Sequence, residues 1–330
     1  MDTQRHQDIL KSMEGFVEEQ LTWLGASTES WQPSDLLPDL TADNWHDVLQ
    51  TLRDAAKGLS DEILVVLVGN TVTEEALPAY LSMANRHPGI GDQTGASDNA
   101  WARWIRTWTA EENRHGELLN AYLYLSGRVD MRAVQLTTQH LIGNGFDPKT
   151  ANDPYKGLVY TSFQERATRV SHGNTARLAI KSGDTVLGKI CNFVAGDEAR
   201  HEEIYKRFVK KLMELDPSGT VTAAAQMMTT TVVMPARLMS DGSSQDLFGQ
   251  FALVAQRSGM YTAHDYAAII EHLVAYWDIA NFSGLQGEAA EAQEYLCGLA
   301  PRYRALAESG SARLARQPKA AFRWIFGRSA

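Results

Sequence analysis

Glu111-Glu112-Asn113-Arg114-His115 and Asp197-Glu198-Ala199-Arg200-His201 repeat one pattern, acid-Glu-x-Arg-His, in two distant parts of the chain. Each copy contains Glu-x-x-His. On an α-helix, positions i and i+3 share a face, so a carboxylate oxygen and an imidazole nitrogen from one copy can reach the same metal ion. With nine histidines in the chain and Glu at roughly one residue in fourteen, about half of one such spacing arises by chance. One copy therefore means little, and two are only suggestive. Register sharpens the case. Glu112 and His115 fall in a stripe with Ile105, Trp108, Leu119 and Tyr122, while Glu198 and His201 fall with Leu187, Ile190, Val194, Tyr205 and Phe208. Both pairs lie on the face that their helix would bury. Burying a carboxylate beside a histidine is costly unless the group is paired or bound to a metal.

Helical periodicity extends well beyond these two segments. Apolar residues recur every three to four positions through most of the sequence, with no sustained alternation of period two, which predicts an all-α fold. A first helix is predicted over about residues 3–24, followed by an irregular segment marked by Trp31, Pro33 and Pro38. A second runs over about 60–86, capped by Ser60 with Asp61 and Glu62 in its first turn and stopped by His87-Pro88. Ser97 is the expected cap of the helix carrying Glu112 and His115, and Gly127 its end. A shorter helix over about 130–142 precedes two more long ones, at about 155–181 and 184–215. Four long helices with short connections predict an elongated bundle. Beyond it, about 219–316 reads as shorter helices broken at Pro235, Gly242, Gly259, Gly284 and Pro301, ahead of an irregular tail through Phe322-Arg323-Trp324-Ile325-Phe326. No long, low-complexity or strongly charged linker interrupts the chain. A single domain over 1–330 is expected, with the core bundle at about 60–215 and additional C-terminal helices at about 219–316.

Composition removes several classes of function. The 330 residues are 44% hydrophobic and 22% charged, enough for a large core. The longest purely aliphatic run, Ile63 to Val68, is far shorter than the roughly 20 residues of a membrane-spanning helix, and no basic segment leads into a hydrophobic signal. A soluble protein with no membrane span is expected. Two separated cysteines, Cys191 and Cys297, cannot build a disulfide framework or a cysteine zinc site. A formal charge of −9 argues against nucleic acid as a partner, because affinity for phosphate backbones needs clustered Lys and Arg.

Each of the other two long helices offers one acid in a comparable setting, Glu74 and Glu165. A lone buried Glu is ordinarily a salt-bridged structural residue. Yet the order Glu, Glu-x-x-His, Glu, Glu-x-x-His on four successive helices is the ligand set of carboxylate-bridged di-metal bundles. Four acids with two histidines favour iron or manganese over zinc, and O₂ chemistry favours iron. Pro78, four residues after Glu74, is expected to kink the helix beside that acid, since it has no N–H for the Glu74 carbonyl.

Beyond the ligand pattern stand Val65-Val66-Leu67-Val68-Gly69, Thr73-Glu74-Glu75-Ala76-Leu77-Pro78, Trp108-Thr109-Ala110-Glu111-Glu112-Asn113-Arg114-His115-Gly116 and Tyr124-Leu125-Ser126-Gly127-Arg128-Val129-Asp130-Met131-Arg132. To these are added Tyr160-Thr161-Ser162-Phe163-Gln164-Glu165-Arg166-Ala167-Thr168, Ser171-His172-Gly173-Asn174-Thr175-Ala176-Arg177 and Trp324-Ile325-Phe326. In these segments, and nearly end to end, the chain resembles the soluble acyl-acyl carrier protein desaturases, the plant stearoyl type above all. The resemblance implies a ferritin-like di-iron bundle with two iron ions, held by Glu74, Glu112, His115, Glu165, Glu198 and His201, with Glu112 and Glu198 as the bridging pair. It implies that Thr168 faces the O₂ side of the cluster and helps deliver protons, and that Trp31 and Asp197 form an electron route ending at His115. Glu111 and Asp197, each preceding a bridging Glu, are expected to bond His201 and His115 across the bundle.

The implied activity is insertion of a cis double bond into a saturated acyl chain carried on acyl carrier protein, using O₂ and reduced ferredoxin. Methylene groups are chemically almost equivalent, so depth of insertion in a narrow apolar channel must select the carbons. Met83, Arg86, His87 and Gly157 are the expected channel residues. Here the chain departs from its relatives: Asn85-Arg86-His87-Pro88-Gly89 stands where the plant enzymes have Asn-Thr-Leu-Asp-Gly, so a chain length or bond position other than Δ9 on 18 carbons is expected. The alternative is that both side chains turn to solvent. Acidic partners on a net negative protein require a local basic face. Lys206, Lys210 and Lys211, with Arg207, form one expected docking cluster, and Arg302, Arg304, Arg313 and Arg316 another. The resemblance also implies a homodimer. Met1-Asp2-Thr3 opens with no Arg- and Ser-rich leader, which predicts a bacterial cytoplasmic setting, with the plastid stroma as the alternative for a trimmed chain. Two other readings share the ligand set: an acyl-chain hydroxylase or oxygenase on the same fold, and a ferritin-like iron store. The remaining histidines are expected to be structural. His140 and His172 read as hydrogen-bonded helix residues, and His6, His46, His264 and His272 have no partner acid at a matching spacing.

Overall fold

The computed structural model describes residues 3–314 and 317–330 and builds thirteen α-helices among them. In chain order they are α1 (Thr3–Ser12), α2 (Glu14–Leu21), α3 (Trp45–Ala56), α4 (Asp61–Glu75), α5 (Leu77–Ala84), α6 (Ala100–Ser126) and α7 (Met131–Asn144). They continue as α8 (Pro154–Lys181), α9 (Thr185–Leu215), α10 (Pro217–Met228), α11 (Leu247–Ser258), α12 (Ala263–Tyr276) and α13 (Glu288–Leu314). Among the described residues, the β content is one isolated antiparallel bridge, Ala321 to Ser329. The all-α class is as the periodicity predicts. No helix among the described residues is long and apolar enough to cross a membrane.

Short polar side chains set the helix starts by accepting bonds from otherwise unpaired N–H groups. Ser60 accepts from the Ile63 amide, Asn99 from Ala102, Asp130 from Ala133, Asp153 from Tyr155 and Asp184 from Leu187. The run Ile63 to Val68 has no polar face, so α4 is buried on every side over Ile63 to Val72. Its neighbour α11 approaches closely enough that a Cβ at Gly69 would lie 2.0 Å from the Phe251 ring, which excludes any larger residue there. The helices α8 and α9 form an antiparallel hairpin through Ser182 to Asp184, and the Tyr122 hydroxyl of α6 donates to the Asp184 carboxylate at that corner.

Packing divides into two apolar cores. One joins Trp101, Trp104 and Trp108 of α6 to Phe163 of α8, Phe208 of α9 and residues of α10, α12 and α13. The other joins Leu118, Leu119 and Tyr122 of α6 to Ala176 and Ala179 of α8, Ile190 and Val194 of α9, α4 and the chain's end. Each of α6, α8 and α9 passes through both, and the acid and histidine positions lie in the seam between them.

Five features differ from the sequence expectation. The first helix is divided at Met13 into α1 and α2, and α3 occupies part of the segment read as irregular. Pro78 lies in the first turn of α5 and not inside a helix, because the chain breaks at Ala76; the Tyr80 hydroxyl donates to the Thr73 carbonyl across the break (2.8 Å). Asn99 and not Ser97 caps α6. Pro301 does not end its helix: α13 runs through it, with Leu296, Leu299, Ala300 and Ala307 buried on either side and Cys297, whose carbonyl loses its usual donor, exposed. The tail after α13 is anchored. Trp324 is fully buried, its indole N–H donates to Thr137 Oγ1 (2.8 Å), and its carbonyl accepts from the Asp130 amide (2.8 Å). Trp324→Ala should therefore destabilise the protein by about 3–5 kcal/mol through the cavity it leaves and the lost indole bond to Thr137, whose hydroxyl still donates to the Ala133 carbonyl. Chemical denaturation measures this, and a loss under about 1 kcal/mol would show that the tail is not part of the core.

Candidate metal centre

Glu112 and His115 stand one turn apart on α6, Glu198 and His201 one turn apart on α9, with Glu165 on α8 and Glu74 at the end of α4. All six are buried. Ligand atoms of Glu74, Glu112, His115 and Glu198 lie within 4.8 Å of one another, and so do those of Glu112, Glu165, Glu198 and His201. The two groups share Glu112 and Glu198, and each, with one histidine and one further Glu, could hold an ion.

Ring orientation identifies the inward nitrogens. His115 Nδ1 lies 3.1 Å from Glu112 Oε2, 3.4 Å from Glu198 Oε1 and 3.9 Å from Glu74 Oε2. His201 Nδ1 lies 2.7 Å from Glu112 Oε1 and 3.6 Å from Glu165 Oε2. The outward nitrogens are held across the bundle: His115 Nε2 is 3.3 Å from Asp197 Oδ2, and His201 Nε2 is 2.9 Å from Glu111 Oε2. Such partners fix the ring plane and leave Nδ1 free to ligate. The arginines of the repeated pattern close the arrangement. Arg114 donates to Asp197 (3.1 Å), and Arg200 donates to Glu111 (2.9 Å) and pairs with Asp197 (2.8 Å). Sequence reasoning assigned these arginines no role, although their place in both copies of the pattern was a visible signal.

The residues fit a pair of cations. Glu112 Oε1, Glu198 Oε1 and His201 Nδ1 are buried with no hydrogen-bond partner, although Glu112 Oε1 and His201 Nδ1 are 2.7 Å apart. The two atoms are close but not aligned as donor and acceptor, as two ligands of one ion would be. Oxygen-rich sites with two imidazoles suit iron or manganese.

Burial and the charges of neighbouring ligands set the protonation balance of the cluster. Burial alone would raise the Glu112 carboxyl, but the charged rings of His115 and His201 on either side hold it well below the ordinary carboxylate range. Burial pushes Glu198 well up, and the Glu112 charge pushes it further. Burial works against charge on His115 and His201, yet the Glu112 carboxylate against them raises both well above the ordinary imidazole value. For Asp197, burial is overcome by the hydrogen bond and charge of His115 and by Arg200, which keep it at about 2.

The other sequence-expected residues divide. Trp31 donates its indole N–H to Asp197 Oδ2 (3.1 Å) and stacks parallel to His115 with ring centroids 6.2 Å apart. Thr168 lies one turn after Glu165, and its hydroxyl reaches Glu198 Oε2 at 2.7 Å. Met83 lines a cavity of about 70 Å³ against the cluster, together with Leu77, Tyr80, Trp108, Phe146 and Tyr160. Arg86, His87 and Gly157 do not line it. Arg86 is exposed at the end of α5, whereas His87 is buried, bonded to Thr150 Oγ1 (3.2 Å), with its ring seated on Gly157, where a Cβ would be only 2.8 Å away. Lys206 is not on the surface: it is 4% exposed and pairs with Glu202 (2.8 Å) and Glu203 (3.2 Å) of its own helix, because that turn of α9 is covered by α12. Lys210 is exposed and Lys211 pairs with Glu214 (2.8 Å). Arg304 pairs with Glu271; the Arg313 side chain and Arg316 lie outside the described residues. Two histidines read as partnerless have acids after all, contributed by other helices: His272 is 3.3 Å from Glu202, and His6 is 3.9 Å from Asp153. His172 bonds Glu74 at 2.9 Å.

Comparison with known proteins places this geometry in a family. A profile described as fatty acid desaturase matches residues 5–326. A stearoyl-[acyl-carrier-protein] 9-desaturase of Brassica napus is 55% identical over 322 residues, covering 97% of this chain and 81% of that protein. Stearoyl-[acyl-carrier-protein] 9-desaturase 1 of Arabidopsis thaliana is 54% identical over 323 residues (97% and 82%). An acyl-[acyl-carrier-protein] desaturase of Cucumis sativus is 53% identical over 322 residues (97% and 81%). Among solved structures, DesA2 of Mycobacterium tuberculosis H37Rv matches with a TM-score of 0.53 at 19% identity, covering 86% of this chain and 99% of that one, a likeness of fold.

Protonated ligands must give up their protons to bind a metal. Because the protonated forms of His115, His201 and Glu198 are favoured by the neighbouring carboxylates and by burial, raising the pH favours metal binding. Loading a divalent ion in weak buffer near pH 7 should release at least one proton per ion, and apparent affinity should climb from about pH 6 to about pH 8. Proton uptake by a pH indicator during titration measures it; no release together with pH-independent affinity would contradict the assignment.

Proposed function

The chain belongs to the fatty acid desaturase family, and from that premise we propose that it is an acyl-[acyl-carrier-protein] desaturase whose cluster holds two iron ions. It removes two hydrogens from adjacent carbons of a saturated acyl chain and leaves a cis double bond. With two electrons and two protons from outside, those two hydrogens take O₂ to two molecules of water. Two iron ions, held by His115 with Glu74 and by His201 with Glu165, and bridged by Glu112 and Glu198, would supply the O₂ reduction that breaks the C–H bonds.

The carrying observation is the apolar space beside the carboxylates. The 70 Å³ cavity against Glu112, Glu165 and Glu198 shares Thr73, Gln164, Thr168 and Pro235 with a second cavity of about 360 Å³, walled by Met234, Phe248, Phe251, Tyr261 and Tyr266. The two cavities lie on either side of these shared residues, so an acyl chain entering from the α11–α12 side would pass Thr168 to reach the cluster. Their walls bind an acyl chain by excluding water and hold it close to the ions. At the far end the Phe146 ring stands edge-on to Tyr80 (centroids 5.2 Å) and beside Tyr160 (5.7 Å), and these aromatics, with Met83, set how deep the methyl end goes. Thr168 holds a proton at Glu198 Oε2, ready for transfer. Trp31, Asp197 and His115 form a continuous chain from the surface to the cluster, the entry for electrons from reduced ferredoxin. Lys210 and Lys211 remain the cations offered to the acidic carrier protein.

A second copy of the chain covers the groove of about 1140 Å³ between the loop with Leu37 and Leu40, α5 and α6. Tyr124 is 61% and Leu40 48% exposed there, large apolar groups that a partner would bury. Tyr124→Glu should convert the dimer to a monomer in sedimentation, and an intact dimer would place the interface elsewhere.

A reconstituted assay with ferredoxin, its reductase and 14-, 16- and 18-carbon acyl carrier protein thioesters tests the activity. Expected is a product lighter by two hydrogens from one preferred chain length. A product heavier by one oxygen atom would make the protein a hydroxylase, and no product from any thioester would remove the proposal.

A further inference from the structure

The metal centre is nearly symmetric in its imidazoles but not in its terminal carboxylates. Each histidine has an acid from the opposite helix on its outer nitrogen. No side chain outside the cluster donates a hydrogen bond to the Glu165 carboxylate among the described residues; His201 Nδ1 lies 3.6 Å from it. Glu74 has an outside partner: His172 Nε2 lies 2.9 Å from Glu74 Oε1, while Glu74 Oε2 faces His115 Nδ1 at 3.9 Å. We propose that His172 is a positioning residue that fixes Glu74 and makes the ion position shared with His115 the tighter of the two. This rests on the metal-binding reading above.

The backbone explains why Glu74 needs a holder. Glu112, Glu165 and Glu198 lie well inside helices of 27, 28 and 31 residues, whose continuing turns fix their Cα positions. Glu74 is the penultimate residue of α4, just before the break at Ala76. A candidate ligand at a helix end is held by fewer backbone hydrogen bonds than one in mid-helix. Two contacts from α8 compensate, one turn apart on α4: Ser171 Oγ donates to Asn70 Oδ1 (3.1 Å), and His172 reaches Glu74.

The ring is placed for Glu74 and not for its own satisfaction. To donate to a carboxylate, Nε2 must carry the hydrogen, which leaves Nδ1 as an acceptor. That nitrogen is buried and has no partner among the described polar groups. An unsatisfied buried acceptor is unfavourable, so the conformation is retained for what Nε2 does. Donation to Oε1 orients the carboxyl so that Oε2 alone points inward, a one-oxygen ligand of fixed direction. Glu165, with no such donor, is free to turn between one-oxygen and two-oxygen contacts.

Removing an outer partner of a ligand typically weakens metal affinity about 10- to 100-fold. Cobalt(II) titration of the metal-free full chain, read by visible absorption, tests this without turnover. The unaltered protein should take up two equivalents in two unequal steps. His172→Leu should weaken the tighter step by about 10- to 100-fold and leave the other unchanged. His172→Gln, whose amide can still donate to Oε1, should recover most of the loss. The proposal is overturned if two equal steps appear in the unaltered protein, if His172→Leu keeps both steps, or if the Leu and Gln variants are equally weak with equally lowered Tm, the mark of a merely structural role. A protein that takes up no cobalt at all would instead remove the metal reading, and this inference with it.

Discussion

Four carboxylates and two imidazoles are buried together in one seam between two apolar cores, and the rest of the bundle is arranged around that concentration of charge. Only opposite charge, shared protons or metal ions can replace the hydration these groups give up. The metal-free site uses the first two: Glu112 is held low between two charged rings while Glu198 is pushed up. That balance is incomplete, since inward atoms of Glu112, Glu198 and His201 are left without hydrogen bonds. A pair of cations is the occupant that uses all six inward side chains at once.

The five-residue repeat works only because its two copies serve each other. Glu111 of α6 holds His201 of α9, and Asp197 of α9 holds His115 of α6. Arg114 reaches Asp197, and Arg200 reaches both acids. In each copy, then, the first acid and the arginine each bond a residue of the partner helix, the arginine also reaching the acid of its own copy, while Glu and His turn inward to the cluster. Such a network couples its members, so substitutions in the two copies will not add independently. It also fixes the relative register of α6 and α9, because a slip of one residue would break every cross-bundle bond together.

What the sequence made legible was whatever depends on one helix at a time. Periodicity, the cap at Ser60 and the i, i+3 spacing are local properties, and the structure places the six proposed ligands in one cluster. What it hid depends on neighbours. Lys206 reads as a surface cation until α12 is laid over its turn. His87 reads as a channel residue; its ring is seated on Gly157 and bonded to Thr150, which only the packing of α8 and the loop before it shows. Pro301 reads as a helix end, but burial of Leu296, Leu299, Ala300 and Ala307 carries α13 through it. His172 looks like an ordinary helix histidine in sequence, and only the packing of α8 on the end of α4 gives it Glu74.

The bundle also separates the two supplies that the proposed reaction needs. Trp31 and Asp197 approach the cluster where α6 faces α9, whereas Thr73, Gln164 and Thr168 border the apolar path along α4 and α8. In the proposed reaction, electrons and acyl chain would therefore reach the ions from different pairs of helices. A small electron carrier can meet Trp31 while an acyl chain still occupies the path, so neither must leave for the other to arrive. The arrangement also keeps the indole and the charged Asp197–Arg200 pair away from the apolar walls, where their water would compromise the exclusion that positions the chain. One polar seam could thus serve the two dissimilar partners of the proposed reaction, because four helices give it more than one accessible side.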